Sequence, residues 1–263
     1  MAEKIFSTRH TIIVTLVITI TCAILVVATS GLLKPRQLAW LAIEMNRSIV
    51  TAMAPSLVAG EILTPAEVVE QFSQLDVLLI ELETGERSTA EDPLVYNIFT
   101  VGDNPDLQYK IPTSMDIAGL VNRPIFAPVY QLYDGAILQR VGFPVYGPGM
   151  WSTITGYIVL ERDYNTISNI YFYQHGETPG IGDQIESQEW RQQWVGKKIR
   201  NEAGEFKLHQ RKSTQDKDMD EYQIDAISGA TVTSVSVISM AQYWLGDDGY
   251  GLYLVRQREE SRQ

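Results

Sequence analysis

Asp225-Ala226-Ile227-Ser228-Gly229-Ala230-Thr231-Val232-Thr233-Ser234 is the stretch on which the reading of this chain turns. Small, turn-forming residues up to Ala230 give way to apolar ones at roughly helical spacing. These are Val232, Val235, Ile238 and Leu245, with Ala241 and Trp244 on or near the same face. Asp225 and Ser228 are turn or cap candidates, and Gly229 lets the backbone approach a neighbour closely. The pattern predicts an amphipathic helix with Thr231 in its first turn. Free backbone N–H groups and the positive end of the helix dipole suit an anion there, a phosphate in particular. Ser-Gly-Ala-Thr is built of common residues, so a plain turn before a helix is the competing reading, and the surrounding sequence has to decide.

At the other end, residues 11–33 contain no charged side chain and are rich in Ile, Val, Leu and Thr. A run of that length crosses the hydrocarbon core as a helix and exceeds the apolar stretch of about 7–15 residues in a cleaved signal peptide. A retained transmembrane helix is therefore expected over 11–33, with 1–10 as a cytoplasmic N-terminus. Lys4 and Arg9 on one side and Lys34 and Arg36 on the other leave orientation undecided by charge. Cys22, the single cysteine, lies inside this run, so the chain can build neither an internal disulfide nor a cysteine-ligated iron–sulfur cluster. The chain carries a formal charge of −11; setting aside Glu3, Lys4 and Arg9 leaves −12 beyond the anchor. Such a surface does not suit nucleic acid. His10, His175 and His209 lack metal-ligand spacing, and no metal site is expected.

Residues 34–128 read as a helical stalk and variable region. Pro35 permits a fresh helix start, and an apolar stripe runs through Leu38, Leu41, Ala42, Met45, Ile49 and Met53, either continuing the anchor as an amphipathic stalk or packed on the domain. Thr64-Pro65-Ala66-Glu67 reads as a capping box opening a helix to about Leu75, and 77–83 as a strand. From 86 to 128 the pattern is irregular, with short strands. Residues 129–263 form a β-rich domain. A hairpin spans 129–141 around Asp134-Gly135, Gly147-Pro148-Gly149 breaks the chain, and strands follow over 153–161 and 167–173. Ser187–Trp194 reads as a short capped helix and 210–220 as a solvated loop.

Four ordered motifs join the anchor. They are Gly147-Pro148-Gly149-Met150-Trp151-Ser152, then Gln174-His175-Gly176-Glu177-Thr178-Pro179-Gly180-Ile181-Gly182, then Trp190-Arg191-Gln192-Gln193-Trp194-Val195-Gly196-Lys197, and last the Ser-Gly-Ala-Thr segment with Tyr243-Trp244-Leu245-Gly246. Together they resemble the NqrC family, the C subunits of bacterial sodium-translocating NADH:quinone reductases. The resemblance implies an α+β fold: one N-terminal transmembrane helix followed by a β-rich FMN-binding domain. It implies an FMN held by a phosphoester on Thr231, attached by a flavin transferase. It places the soluble domain on the periplasmic face of the inner membrane. Within a translocase assembled with NqrA, NqrB, NqrD, NqrE and NqrF, it implies electron relay through this flavin towards ubiquinone, coupled to sodium export, with no independent catalysis. A proline expected after Gly249-Tyr250-Gly251 is replaced by Leu252, which bears on how a terminal strand docks. The G component of an Rnf-type electron-transport complex is the nearest rival, and a cofactor-free anchored periplasmic binding module is a rival of another class.

The candidate cofactor contacts are Thr231, Ser228, Gly229, Ala230, Glu177, Thr178, Gly180 and Trp151, with Asp225 assigned to transferase recognition or to capping the turn. The Glu177–Gly180 loop offers N–H groups and the Thr178 hydroxyl to a flavin's carbonyls; a Gly/Pro-rich turn, with Glu177 capping the next segment, is the equal alternative. Trp151 is a stacking candidate, although a tryptophan in this position is more often core. His175 fits a loop hydrogen-bonder. One-electron transfer needs proximity and a tuned potential, so no catalytic acid or base is assigned.

Overall fold

A computed structural model describes residues 8–55, 63–99, 104–211 and 221–261, apart from the side chains at 38 and 39. The chain divides into two compact units, Met1–Met45 and Asn46–Gln263. In the first, helix α1 (Thr8–Met53) is long and apolar enough to cross a membrane, and its apolar side chains are exposed. Pro35 lies inside this helix without ending it, so the stripe continues the anchor helix and takes no fresh start at the proline. The last turns of α1 belong to the second unit, where Ser48, Ile49, Val50, Ala52 and Met53 are buried; Leu41 and Ala42, earlier in the predicted stripe, are exposed.

The second unit is organised by a six-stranded antiparallel sheet of order β2-β1-β5-β6-β7-β8. Its strands are β1 (Leu75–Glu81), β2 (Arg87–Ser88), β5 (Phe126–Asp134), β6 (Ile137–Pro148), β7 (Thr153–Glu161) and β8 (Ile167–Gln174). Short pairs β3 (Gln108–Lys110) with β4 (Asn122–Pro124), and β9 (His209–Gln210) with β10 (Gln223–Ile224), lie outside it. Helix α2 (Pro65–Phe72) opens with both halves of the expected capping box: Thr64 N–H donates to Glu67 Oε2 at 2.7 Å, and Glu67 N–H to Thr64 Oγ1 at 3.4 Å. It stops three residues before the expected end, and β1 begins at Leu75 rather than 77.

Alternation along the strands fills both faces. Leu78 and Ile80 of β1, Val141, Phe143 and Val145 of β6 and Ile154, Ile158 and Leu160 of β7 face one core, shared with α4 (Thr231–Leu245) and α5 (Gly251–Glu260). Leu75, Val77, Tyr130, Tyr157 and Val159 face a smaller core that Ile49, Ala52 and Met53 complete. Gly142 makes this seat possible, because a Cβ there would lie 2.6 Å from Met53 Sδ. Arg140 Nη1 donates to Met53 O at 2.7 Å and Asn169 Nδ2 to Ala52 O at 2.9 Å, supplying donors to carbonyls that a helix end leaves free. The short helix expected near Ser187 is α3 (Gln188–Gln192), with Ser187 as its cap.

Three further expectations meet a different structure. Gly147-Pro148 does not break the chain: β6 runs through Pro148 and pairs it with Thr153, and the turn comes at 149–152. The segment after Gly249 is the helix α5, not a strand, because Tyr250, Tyr253 and Leu254 bury one helical stripe against Phe143 and Trp244. Of the loop expected over 210–220, residues 212–220 lie outside the described residues, and Gln210 belongs to β9. At the β7–β8 turn Tyr164 takes φ +54°. Burial raises the Asp163 carboxyl there, but hydrogen bonds from Thr166 Oγ1, Thr166 N–H and Asn165 N–H outweigh it and hold the group below its ordinary range.

Candidate functional site

Thr231 is the first residue of α4, and Ala230, with φ −124°, is its N-cap. No side chain caps this helix, and no acidic residue stands in its first turn. Neither Asp225 nor Ser228 therefore takes the expected capping role. The turn is held from inside the helix: Ser234 Oγ accepts from Ile227 N–H at 2.8 Å and donates to Ala230 O at 2.9 Å. Gly229 has φ +81°, and a Cβ there would meet nothing within 4 Å; glycine serves the left-handed backbone and not a close contact. The first-turn N–H groups are left without a side-chain acceptor, the arrangement an anion completes.

Burial along α4 differs from the stripe that its spacing predicts. Ile238, Ala241, Trp244 and Leu245 are buried as expected, but Val232 and Val235 are 57% and 40% exposed, while Thr233 and Ser234 are buried. The reason is polar: the inward positions of the first turn belong to hydroxyls that have partners waiting. Thr233 Oγ1 donates to Glu177 Oε2 at 2.5 Å.

That bond joins the helix to the two loops named in the sequence. Glu177 is buried and does not cap its own segment; its Oε1 accepts from Trp151 N–H at 3.2 Å. Gly149 and Gly182 make room for it. A Cβ at Gly149 would lie 2.5 Å from Glu177 Oε1, and one at Gly182 2.9 Å from Glu177 Cβ. The Trp151 indole N–H donates to Thr178 Oγ1 at 3.1 Å, and Thr178 O accepts from the N–H groups of Ile181 and Gly182 at 3.1 and 3.0 Å. Gly180, at φ +76°, turns this loop. His175 acts within it as a hydrogen-bonder: Nδ1 accepts from Glu177 N–H at 3.2 Å, and Nε2 lies 3.0 Å from Glu186 Oε1.

Between these elements lies a cavity of about 230 Å³ lined by Met150, Glu177, Thr178, Ile181, Gly182 and residues 229–233. Fold topology thus brings Thr231, Gly229, Ala230, Glu177 and Thr178 together, with Trp151 and Gly180 on the adjoining loops. Trp151 is 68% exposed, so the core reading of that residue fails. Ser228 instead lines a neighbouring hollow with Gln184, Trp190, Gln193 and Asp225. Asp225 faces away from the helix start: its carboxylate pairs with Arg211 at 3.2 Å, its N–H donates to Gln193 Oε1, and its carbonyl accepts from Trp190 Nε1. Thr233, Met150 and Ile181 are members that sequence reasoning did not assign. Met150 and Ile181 stood inside quoted motifs, whereas nothing local signalled the Thr233–Glu177 bond across 56 positions.

A family model described as an FMN-binding domain matches residues 149–246, which takes in the Gly149 turn, the Glu177 loop and all of α4. The matched span thus defines a flavoprotein of the FMN-binding class. Over nearly its full length the chain is similar to the C subunit of the Na(+)-translocating NADH-quinone reductase of Pseudomonas aeruginosa. The identity is 33%, covering 96% of this chain and 97% of that one. The corresponding Vibrio alginolyticus protein is 31% identical over 98% of both chains. The crystal structure of Shewanella oneidensis NqrC, 30% identical, superposes with a TM-score of 0.71 over 84% of this chain and 99% of that one. The chain belongs to the NqrC family of the sodium-translocating NADH-quinone reductases.

Proposed function

We propose that this chain carries FMN through a phosphoester on Thr231 and relays electrons towards quinone inside a multi-subunit NADH-quinone reductase that exports sodium. The observation that carries the reading is an exposed threonine at the start of an uncapped helix, on the wall of a cleft within the span matched as FMN-binding. The ester supplies a tether, and the flavin supplies redox chemistry. The chain's own residues would hold the phosphate at the first-turn N–H groups of α4 and place the ring near Thr178, Met150 and Trp151. A cavity of about 230 Å³ is smaller than the roughly 300–1,000 Å³ that encloses a drug-sized ligand, so one edge of the flavin would stay accessible to a redox partner. Both Glu177 oxygens are already occupied by donors, which limits the repulsion a buried carboxylate offers a nearby phosphate. No general acid or base is invoked, and no turnover is expected of the isolated chain.

The proposed partners are NqrA, NqrB, NqrD, NqrE and NqrF, with a flavin transferase during maturation. We place α1 in the inner membrane at 11–33, residues 1–10 in the cytoplasm, and 34–128 and 129–263 in the periplasm. Protease added to spheroplasts is expected to digest the bulk of the chain; protection under conditions that expose a known periplasmic protein would reverse the topology.

Expression with and without the flavin transferase tests the covalent link directly. The denatured chain is expected to fluoresce as a flavoprotein in a gel only when the transferase is present, and a fluorescent band without it overturns the assignment. Asp225 belongs to the same assay. Its pairing with Arg211 gives Asp225→Asn a structural consequence, so Arg211→Gln, which breaks the same pair from the other side, is the control. If Asp225 serves transferase recognition, Asp225→Asn lowers flavin occupancy and Arg211→Gln does not. Equal losses in both would assign the carboxylate to the fold.

A further inference from the structure

Trp151 is a tryptophan whose packing does not explain its place. It is 68% exposed, and it does not line the Thr231 cleft itself. What ties it down are its two N–H groups. The backbone N–H donates to Glu177 Oε1 at 3.2 Å and the indole N–H to Thr178 Oγ1 at 3.1 Å, so both reach the adjoining loop, across 26 and 27 positions. A phenylalanine would supply an aromatic ring and the first bond; only the second needs an indole.

Thr178, unlike Trp151, lines the cleft. Its backbone is fixed by a carbonyl that accepts from the N–H groups of Ile181, Gly182 and Asp183 at 3.1, 3.0 and 3.3 Å. The hydroxyl remains to be oriented. A threonine hydroxyl has one hydrogen to donate and two lone pairs to accept with. Here one lone pair is occupied by the Trp151 indole, and the hydrogen has no acceptor among the described residues. The indole bond therefore holds the hydroxyl in place and leaves its hydrogen free to donate. Accepting one hydrogen bond also polarises the O–H and strengthens the bond that it donates in turn.

We propose that Trp151 is a positioning residue for the flavin: through its indole N–H it sets the Thr178 hydroxyl as a donor for a carbonyl of the ring. This assigns Trp151 a polar role through Thr178 in place of stacking on the ring. The proposal rests on the Thr231 reading, which brings FMN to the cleft. Negative charge grows on a ring carbonyl when the flavin takes up an electron, so a donor there favours the reduced form and raises the potential.

Redox titration of the full chain, made with the flavin transferase and solubilised in detergent, tests this from the flavin absorbance. Trp151→Phe keeps an aromatic ring and loses the indole N–H. Its flavin is expected to be harder to reduce, by the roughly 2- to 10-fold in equilibrium that one ordinary hydrogen bond supplies, or about 18–59 mV at 59 mV per tenfold. Thr178→Val should lower the potential at least as far, and Thr178→Ser should retain it. Trp151→Phe combined with Thr178→Val should fall no further than Thr178→Val alone, a non-additivity that a merely structural role of Trp151 does not produce. In the flavin-free chain made without the transferase, the Trp151 indole N–H resonance, identified by its loss in Trp151→Phe, should move upfield in Thr178→Val and keep its place in Thr178→Ser. A potential unmoved in Trp151→Phe, additive shifts in the double variant, or an indole resonance indifferent to Thr178→Val overturns the proposal and leaves the Thr231 reading intact. A full chain that takes up no flavin from the transferase overturns both.

Discussion

Thr231→Ala is expected to give a folded chain with no bound flavin. The Thr231 side chain is exposed on the cleft wall and makes no hydrogen bond among the described residues, so its removal breaks nothing in the fold. Alanine is also the better helix former in the first turn of α4, and the net change in stability should stay within about 0.5 kcal/mol. The flavin, in contrast, loses the covalent link proposed for it. Thr233→Ala is the informative neighbour, because the two threonines differ in everything except identity. Thr233 is buried and donates to Glu177 at 2.5 Å. Its replacement leaves a buried carboxylate oxygen without that donor and should cost about 1–3 kcal/mol, with the flavin retained. Intact-mass measurement and thermal unfolding of both variants decide the matter. Flavin retained in Thr231→Ala would sink the assignment, and flavin lost from Thr233→Ala alone would move it two residues along the helix.

Trp244→Ala should cause the largest loss of stability. Trp244 is fully buried, and its indole N–H donates to Tyr146 O at 2.7 Å. Its ring lies 5.1 Å from Tyr146, 5.6 Å from Tyr250 and 5.8 Å from Tyr243, so it joins α4, β6 and the start of α5 in one aromatic cluster. Its carbonyl accepts from Tyr250 N–H at 2.6 Å, and Gly249 is needed alongside because a Cβ there would lie 2.3 Å from that same oxygen. Truncation to alanine opens a cavity too large for the cluster to close and leaves the Tyr146 carbonyl unpaired, a cost of about 3–5 kcal/mol. At about 2–4 °C per kcal/mol for a unit of this size, the melting temperature should fall by roughly 6–20 °C. Because Trp244 anchors the far end of the helix that begins with Thr231, the folded fraction of Trp244→Ala should still accept flavin while unfolding earlier. A loss below about 1 kcal/mol, read from thermal unfolding followed by near-ultraviolet circular dichroism, would show that the cluster repacks.

The local signals in this chain are strong where the physics is local. The uncharged run of 11–33, the Thr64–Glu67 capping box and the strands β7 and β8 each depend on residues a few positions apart, and each appears in the structure close to where it is read, whereas β6 runs on past the expected 141 to Pro148. Thr231 at the head of α4 is legible for the same reason: a turn-forming stretch and a helical period meet there. The four ordered motifs made the family and the flavin readable from the sequence. What failed locally failed because a distant partner intervened. The segment after Gly249 became a helix because the Phe143 and Trp244 rings wait for Tyr250 and Tyr253.

The sequence by itself determined the anchor, the β-rich domain and the threonine at the head of a helix, since hydrophobic period and turn chemistry act within one or two turns of chain. Only the tertiary structure decided which loops face that threonine. It turned Thr233 and Ser234 inward and Val232 outward, set Ser228 and Asp225 on the other side of the turn, and buried Glu177 between two glycines that leave it room. Those outcomes rest on hydrogen bonds and close contacts between residues up to 56 positions apart, which no local pattern encodes.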